Sequence, residues 1–264
     1  MNMLRHVVSG DARGPAILFL HGFMGSAADW WGVRAALNGS HRCLAVDLPG
    51  HGASLDLPHP EVYTAGGAAL GLLDLLDELN IERPVVVGYS MGGRLALYLA
   101  LRHPERCAGL FLESASPGIE DPAERRARRE ADEERARRLE SGDFERFLAD
   151  WYRQPLFASL ARHEGLVEKI VEARRGNDPG ELARSLRGMG AGSQPSLWDE
   201  LAGMQVPTLA IAGELDEKYV GIASRMTTLD PRLRTVVVPG AGHNVRLEAQ
   251  EAYLTLLQSF LRLP

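Results

Sequence analysis

A mostly parallel β-sheet flanked by helices, with a helical lid inserted after the strand ending near Glu113, is the α/β fold class that the sequence predicts. Three observations predict it. Short aliphatic runs recur that are apolar throughout rather than alternating, the pattern of strands covered on both faces. Helical patterns fill the gaps between them, and strand followed by helix, repeated, builds a parallel sheet through crossover helices. From Pro117 to about Gln205 that rhythm stops and a strongly charged helical pattern replaces it.

The elements follow in order. HVVSG (6–10) adds an antiparallel edge strand ahead of the first aliphatic run, AILFL (16–20). CLAVDL (43–48) is the next strand, and AGGAALGLLDLLDEL supports a helix over 64–79. PVVVGY (84–89), a helix over 91–102 and CAGLFLE (107–113) continue the alternation. After the insertion come PTLAIAG (207–213), TVVVPG (235–240) and a last helix over 246–261. Within the insertion, EDPAERRARREADEERARRLE (120–140) holds seven arginines and eight acids, with Pro122 suited to a first helical turn. Glu124 with Arg128, Glu133 with Arg137 and Glu134 with Arg138 are spaced as favourable i to i+4 pairs, so the helix is expected to be solvated and laced with ion pairs. Ala123, Ala127 and Ala131 form a small-residue stripe on which it is expected to dock, and DWYRQPLF (150–157) concentrates aromatics nearby. The expected organisation is a core from 1–116 and 206–264, interrupted by a helical lid over 117–205.

Composition bounds the function. At 264 residues with 45% apolar content the chain can build one large core, and a net charge of -6 disfavours nucleic-acid binding, which needs uncompensated Lys and Arg. A locally basic site for a small anion remains compatible with that charge. Cys43 and Cys107 each open an apolar run and read as reduced core thiols. No signal-peptide pattern opens the chain and no 18 apolar residues run together, so a cytoplasmic protein without a membrane span is expected. No HExxH or GxxxxGK[ST] spacing occurs, and neither a metal nor a cofactor is expected.

GYSMG (88–92) carries the chemistry. It is a GxSxG turn with strand residues before it and a helical pattern after it, the context in which a serine is held strained and exposed at a helix N-terminus. A serine hydroxyl needs a base. PGAGHNVRLE (239–248) supplies His243 directly after one strand, and GELDEKY (213–219) supplies Asp216 after another, giving Ser90, Asp216 and His243 in chain order at strand C-termini. Glu113 and Glu214 are rival carboxylates near strand ends, and Asp216 is preferred for its loop position. Oxyanion donors are expected at the Met91 amide and, from the loop HGFMGS (21–26), at the Phe23 amide. His21, Asp47 and His51 are expected to shape loops rather than to catalyse. Arg94, one turn after the serine, reads on its own as a helix residue paired with an acid such as Glu113.

HGF, DLPGHGAS, GYSMGG, GELD and GAGH together resemble the α/β-hydrolase superfamily over essentially the whole chain, which implies that fold and a Ser-Asp-His triad. GYSMGGR, ERRARRE, ADWYRQPLFASL and EARRGND are similar to the menaquinone-pathway lyases of the MenH family, the 2-succinyl-6-hydroxy-2,4-cyclohexadiene-1-carboxylate synthases. The resemblance implies proton abstraction from 2-succinyl-5-enolpyruvyl-6-hydroxy-3-cyclohexene-1-carboxylate with expulsion of pyruvate. It places substrate-binding roles on Arg94, Arg129 and Arg174, with Tyr89 and Trp151 as pocket walls; arginine suits a tricarboxylate because its donors match a carboxylate in pairs. Helix phase leaves Arg125, Arg126 and Arg128 as alternatives to Arg129. The expected partner is therefore a small tricarboxylate bound by a monomer or weak homo-oligomer. The alternative reading is a serine carboxylesterase or C-C hydrolase acting on a small acidic substrate.

Overall fold

The computed structural model describes residues 4–230 and 232–262; residues 1–3, 231 and 263–264, which include the ends of the expected core segments, lie outside the described residues. Seven strands form one sheet: β1 (His6–Gly10), β2 (Ala16–Leu20), β3 (Arg42–Val46), β4 (Val85–Tyr89), β5 (Gly109–Glu113), β6 (Thr208–Gly213) and β7 (Leu233–Val238). Their spatial order is β1-β3-β2-β4-β5-β6-β7. Among the described residues only β1 runs antiparallel, pairing His6 with Val46 through to Gly10 with Arg42, which is the edge strand that HVVSG predicted. Val7 and Val8 are both exposed, as a strand covered on neither face should be.

The other strands alternate between two apolar layers, which is why their sequences are apolar throughout. Ile17, Phe19, Val87 and Phe111 face one layer with Trp30, Tyr253 and Phe260. Leu18, Leu20, Val86, Leu110 and Leu112 face the other with Leu72, Leu76, Leu95 and Leu99. The first layer is closed by α1 (Trp31–Leu37) and α10 (Gln250–Leu261), the second by α2 (Ala65–Glu78), α3 (Met91–Arg102) and α8 (Glu217–Leu229). Phe111 is fully buried against Tyr253 and Phe260, and truncating it to alanine should cost ~3–5 kcal/mol. The last predicted helix divides in two: α9 (Val245–Glu248) ends at Ala249, whose extended φ of -142° breaks the ladder before α10.

Between β5 and β6 the chain is helical, with α4 (Pro122–Ser141), α5 (Phe144–Tyr152), α6 (Leu166–Arg174) and α7 (Pro179–Met189). Asp121 caps α4, accepting the Ala123 and Glu124 amides at 2.8 Å each, with Pro122 in the first turn. The docking face differs from the alanine stripe. Ala123 and Ala127 stay exposed, whereas Ala136 and Leu139 are buried against a small core of Leu148, Leu182 and Leu186, and Asp132 is buried on the same helix, paired with Arg128 and Arg135. A methyl stripe offers little area, and Leu139 offers more. Of the three expected ion pairs Glu133 with Arg137 forms, while Arg128 turns to Asp132 and Arg138 reaches Asp150.

Candidate active site

Ser90 lies where β4 turns into α3, at φ 49° and ψ -108°. A side chain at positive φ is strained, and the turn holds only because its neighbours pack tightly. Gly92 shows how tightly: a Cβ there would lie 2.2 Å from the Leu20 carbonyl oxygen. The Ser90 amide donates to the Glu113 carbonyl at 2.9 Å, fixing the turn to β5.

His243 arrives on the loop after β7 and Asp216 on the loop after β6, so the sheet order puts both beside the β4 end. His243 Nδ1 is 2.6 Å from Asp216 Oδ2, and Nε2 is 3.1 Å from Ser90 Oγ. An ionised carboxylate only accepts, so Nδ1 carries the proton and Nε2 is left to accept the serine hydroxyl. Asp216 also caps α8 by accepting the Tyr219 amide at 3.4 Å, which fixes its rotamer. Rings of Tyr219, Tyr89 and Phe157 surround the buried imidazole with centroids at 4.7, 5.5 and 5.9 Å.

Above this constellation is a cavity of about 450 Å³, lined by Ser90 and His243 from the core and by helical residues from the insertion. Phe23 and Met91 line it beside Ser90. Met91 is the first residue of α3, where backbone N–H groups have no partner within the helix. The wall carries five cationic side chains, Arg94, Arg128, Arg135, Arg174 and Lys218, against three acids, Asp29, Asp216 and Glu217. Formally the wall carries two more positive than negative charges. A protein of net charge -6 has gathered positive charge at one place.

The residues matched by the family described as alpha/beta hydrolase fold run from 15 to 250, nearly the whole chain. The chain belongs to the alpha/beta hydrolase family. Within that family it is similar to the 2-succinyl-6-hydroxy-2,4-cyclohexadiene-1-carboxylate synthase of Enterobacter sp. (strain 638), with 35% identity over 94% of this chain and 92% of that protein. A solved structure described as MenH from S. aureus superposes with a TM-score of 0.93 at 32% identity, covering 99% of this chain and 98% of that one. The chloroplastic protein PHYLLO of Arabidopsis thaliana is 33% identical over 97% of this chain, which spans only 16% of that larger protein.

On this alpha/beta hydrolase scaffold the residues expected to bind substrate are distributed unevenly. Tyr89, Arg94, Trp151 and Arg174 all line the cavity. Arg129 does not. It is exposed, its guanidinium 3.3 and 3.4 Å from the Gly192 carbonyl, and Arg128, not Arg129, lines the cavity. One residue on a helix is a rotation of about 100°, and a helix charged on all sides carries no apolar stripe from which to read its phase. Arg94 does not pair with Glu113, which instead accepts the Arg246 amide at 2.8 Å from the start of α9. Arg94 Nη1 donates to Gln194 Oε1 at 2.6 Å, and burial pushes its pKa down to about 10, so it stays charged at neutral pH. Arg174 is held in a two-pronged pair by Asp29, at 2.7 Å for both bonds. Burial alone would raise the Asp29 carboxyl; Arg174 overcomes that and holds it below its ordinary value.

The loop histidines behave as structural groups. His21 Nδ1 contacts the Gly22 carbonyl and Nε2 accepts the Leu48 amide at 3.0 Å, while His51 Nδ1 lies 3.1 Å from the Pro49 carbonyl. Burial lowers the pKa of both, so both are neutral. Asp47 ties two loops by accepting the Ala27 and Ala53 amides at 2.7 and 2.9 Å. Sequence reasoning missed Asp29, Tyr152, Gln194, Lys218 and Tyr219. Lys218 and Tyr219 lie two and three residues after Asp216, in the first turn of α8 that follows a strand C-terminus, which was a usable signal. Asp29 and Gln194 carried none, since each gains its role from a contact more than ninety residues away.

Proposed function

We propose that the chain is a 2-succinyl-6-hydroxy-2,4-cyclohexadiene-1-carboxylate synthase of menaquinone biosynthesis, a carbon–oxygen lyase that works through a hydrolase triad. The observation that carries this reading is the cation-rich cavity directly above Ser90, with Arg94 making no ion pair among the described residues. The substrate has three carboxylates and its reacting carbon must sit near the serine, so charge and nucleophile have to share one pocket.

In the proposed reaction the Ser90 proton passes to His243 Nε2 while Asp216 stabilises the imidazolium. The serine oxygen takes the proton from the carbon beside the succinyl ketone and becomes a hydroxyl again. The resulting enolate oxygen is held by the Phe23 and Met91 amides. As the enolate collapses, a C2=C3 double bond forms, the ring double bond shifts from C3=C4 to C4=C5, and the C5–O bond to the enolpyruvyl group breaks. The departing pyruvate enolate takes the proton from His243, so the enzyme returns to its starting state without consuming water. Arg94, Arg128 and Arg174 anchor the carboxylates, with Tyr89 and Trp151 as walls. Arg128 replaces Arg129 in this role because it is the one that reaches the cavity.

The setting proposed with this function is cytoplasmic, as a monomer or weak homo-oligomer. The buried free thiols of Cys43 and Cys107 suit a reducing compartment, and no helix among the described residues is long and apolar enough to cross a membrane. Mixing purified protein with 2-succinyl-5-enolpyruvyl-6-hydroxy-3-cyclohexene-1-carboxylate should release pyruvate stoichiometrically. Turnover of small esters with no pyruvate from this compound would overturn the reading in favour of a carboxylesterase.

A further inference from the structure

The cations of the cavity differ in what holds them. Arg174 is neutralised by Asp29, and Arg128 and Arg135 share Asp132. Arg94, nearest in sequence to the nucleophile, is held by a neutral amide: its Nη1 donates to Gln194 Oε1 at 2.6 Å. Gln194 is 2% exposed, and its backbone amide donates to the Gly190 carbonyl at 3.0 Å. Its position is therefore built, not incidental. The turn over 190–194 is itself fastened to α4. Gly192 packs so closely there that a Cβ would lie 2.4 Å from the Arg129 amide nitrogen, the Arg129 guanidinium reaches the Gly192 carbonyl, and the Gly192 amide approaches Asp132 Oδ2 at 3.5 Å.

We infer that Gln194 is a specificity-determining residue that orients the Arg94 guanidinium through an uncharged acceptor, leaving its full positive charge for an anionic substrate. The inference rests on the proposed function in assuming that Arg94 meets a carboxylate. A glutamate at the same position would give the same geometry but turn Arg94 into an internal ion pair with no charge to offer. This also gives Arg129 a place: it holds the turn that carries Gln194 and does not itself bind substrate. The positioning runs from α4 through the turn to α3, joining the insertion to the core at the cavity.

The test compares Gln194→Glu with Gln194→Met, which have nearly the same size and differ in charge. Two readouts are used: KM and kcat for pyruvate release, and the rise in Tm caused by propane-1,2,3-tricarboxylate as a probe of anion binding. Gln194→Glu should raise KM about tenfold or more with kcat nearly unchanged, and should abolish the Tm rise, because a hydrogen bond to a full charge is replaced by an internal pair. Gln194→Met removes the acceptor but leaves the cation unneutralised, so it should raise KM by only about three- to fivefold, less than Gln194→Glu does, and keep the Tm rise. Equal losses in the two variants would make Gln194 merely structural, and an unchanged Gln194→Glu variant or a parent protein with no Tm rise would equally overturn the inference. Pyruvate release by the parent is read separately: a parent that gains Tm with the tricarboxylate yet releases no pyruvate would sink the proposed function and leave the role of Gln194 standing.

Discussion

Replacing Arg94 by methionine removes a guanidinium and keeps most of its aliphatic volume, so it isolates charge from packing. In the structure Arg94 commits one Nη1 donor to Gln194 at 2.6 Å and lines the cavity beside Ser90, still charged with its pKa pushed down to about 10 by burial. A hydrogen bond to a charged group contributes ~1.5–3 kcal/mol, which at 1.4 kcal/mol per tenfold predicts a fall of roughly 10- to 150-fold in kcat/KM for the tricarboxylate. A substrate carboxylate held by Arg94 that takes no part in the bond changes would be held equally in ground and transition states, so most of the loss should fall on KM. The variant also strands the buried Gln194 carbonyl, and its stability should drop by about 1–3 kcal/mol, seen as a lower denaturant midpoint at unchanged m-value. Pyruvate release coupled to lactate dehydrogenase measures the first effect, and hydrolysis of a neutral p-nitrophenyl ester under the same conditions is the control. Ester turnover should stay within about twofold, because a neutral ester makes no use of the cation. A loss of the same size on both compounds would show that Arg94 supports the nucleophile turn and does not bind substrate.

The other expectations can be stated together. Ser90→Ala should reduce pyruvate release by at least ~10³-fold while leaving tricarboxylate binding intact, and full activity in that variant would refute the proposed proton relay. Arg128→Ala should lower kcat/KM by about tenfold or more and Arg129→Ala by less than about threefold, since only Arg128 lines the cavity; the reverse order, measured in the same assay, would show that α4 turns its other face to the substrate. Glu113 is fully buried, and burial pushes its carboxyl up to about 7 against the opposing pull of Arg246, with Glu248 adding to the rise. Its ionisation is thus harder in the folded protein than in the unfolded chain, so its contribution to stability is complete below about 4.5 and is lost as pH rises through about 7. That amounts to on the order of 3 kcal/mol. Thermal denaturation at pH 5 and pH 8 should show a smaller difference in Glu113→Gln than in the parent, and an identical difference would assign the slope to another group.

Much of the site was legible because the chemistry fixes both residue type and spacing. A nucleophilic serine needs a strained turn between strand and helix, and GYSMG after VVV announces one. A base and its acid must come from neighbouring strand ends, and GELDEKY and GAGH each follow an apolar run. These are local patterns, and the structure brings Ser90, His243 and Asp216 within 3.1 and 2.6 Å along the relay. The arginines were harder. Arg94 could be placed on its helix from sequence, but its partner is Gln194, a hundred residues on, and not the neighbouring Glu113.

By itself, then, the sequence determined the sheet, its edge strand, the helical character of the insertion and the triad, because each is written as a short-range pattern of apolar spacing or of residues around a turn. Only the tertiary structure decided which face of α4 meets the cavity, that Asp29 neutralises Arg174, and that Arg94 is held by an uncharged amide. Those outcomes depend on how the insertion docks on the core. A helix charged on every side docks through a few buried contacts, here Asp132, Ala136 and Leu139, that no periodicity in its sequence distinguishes.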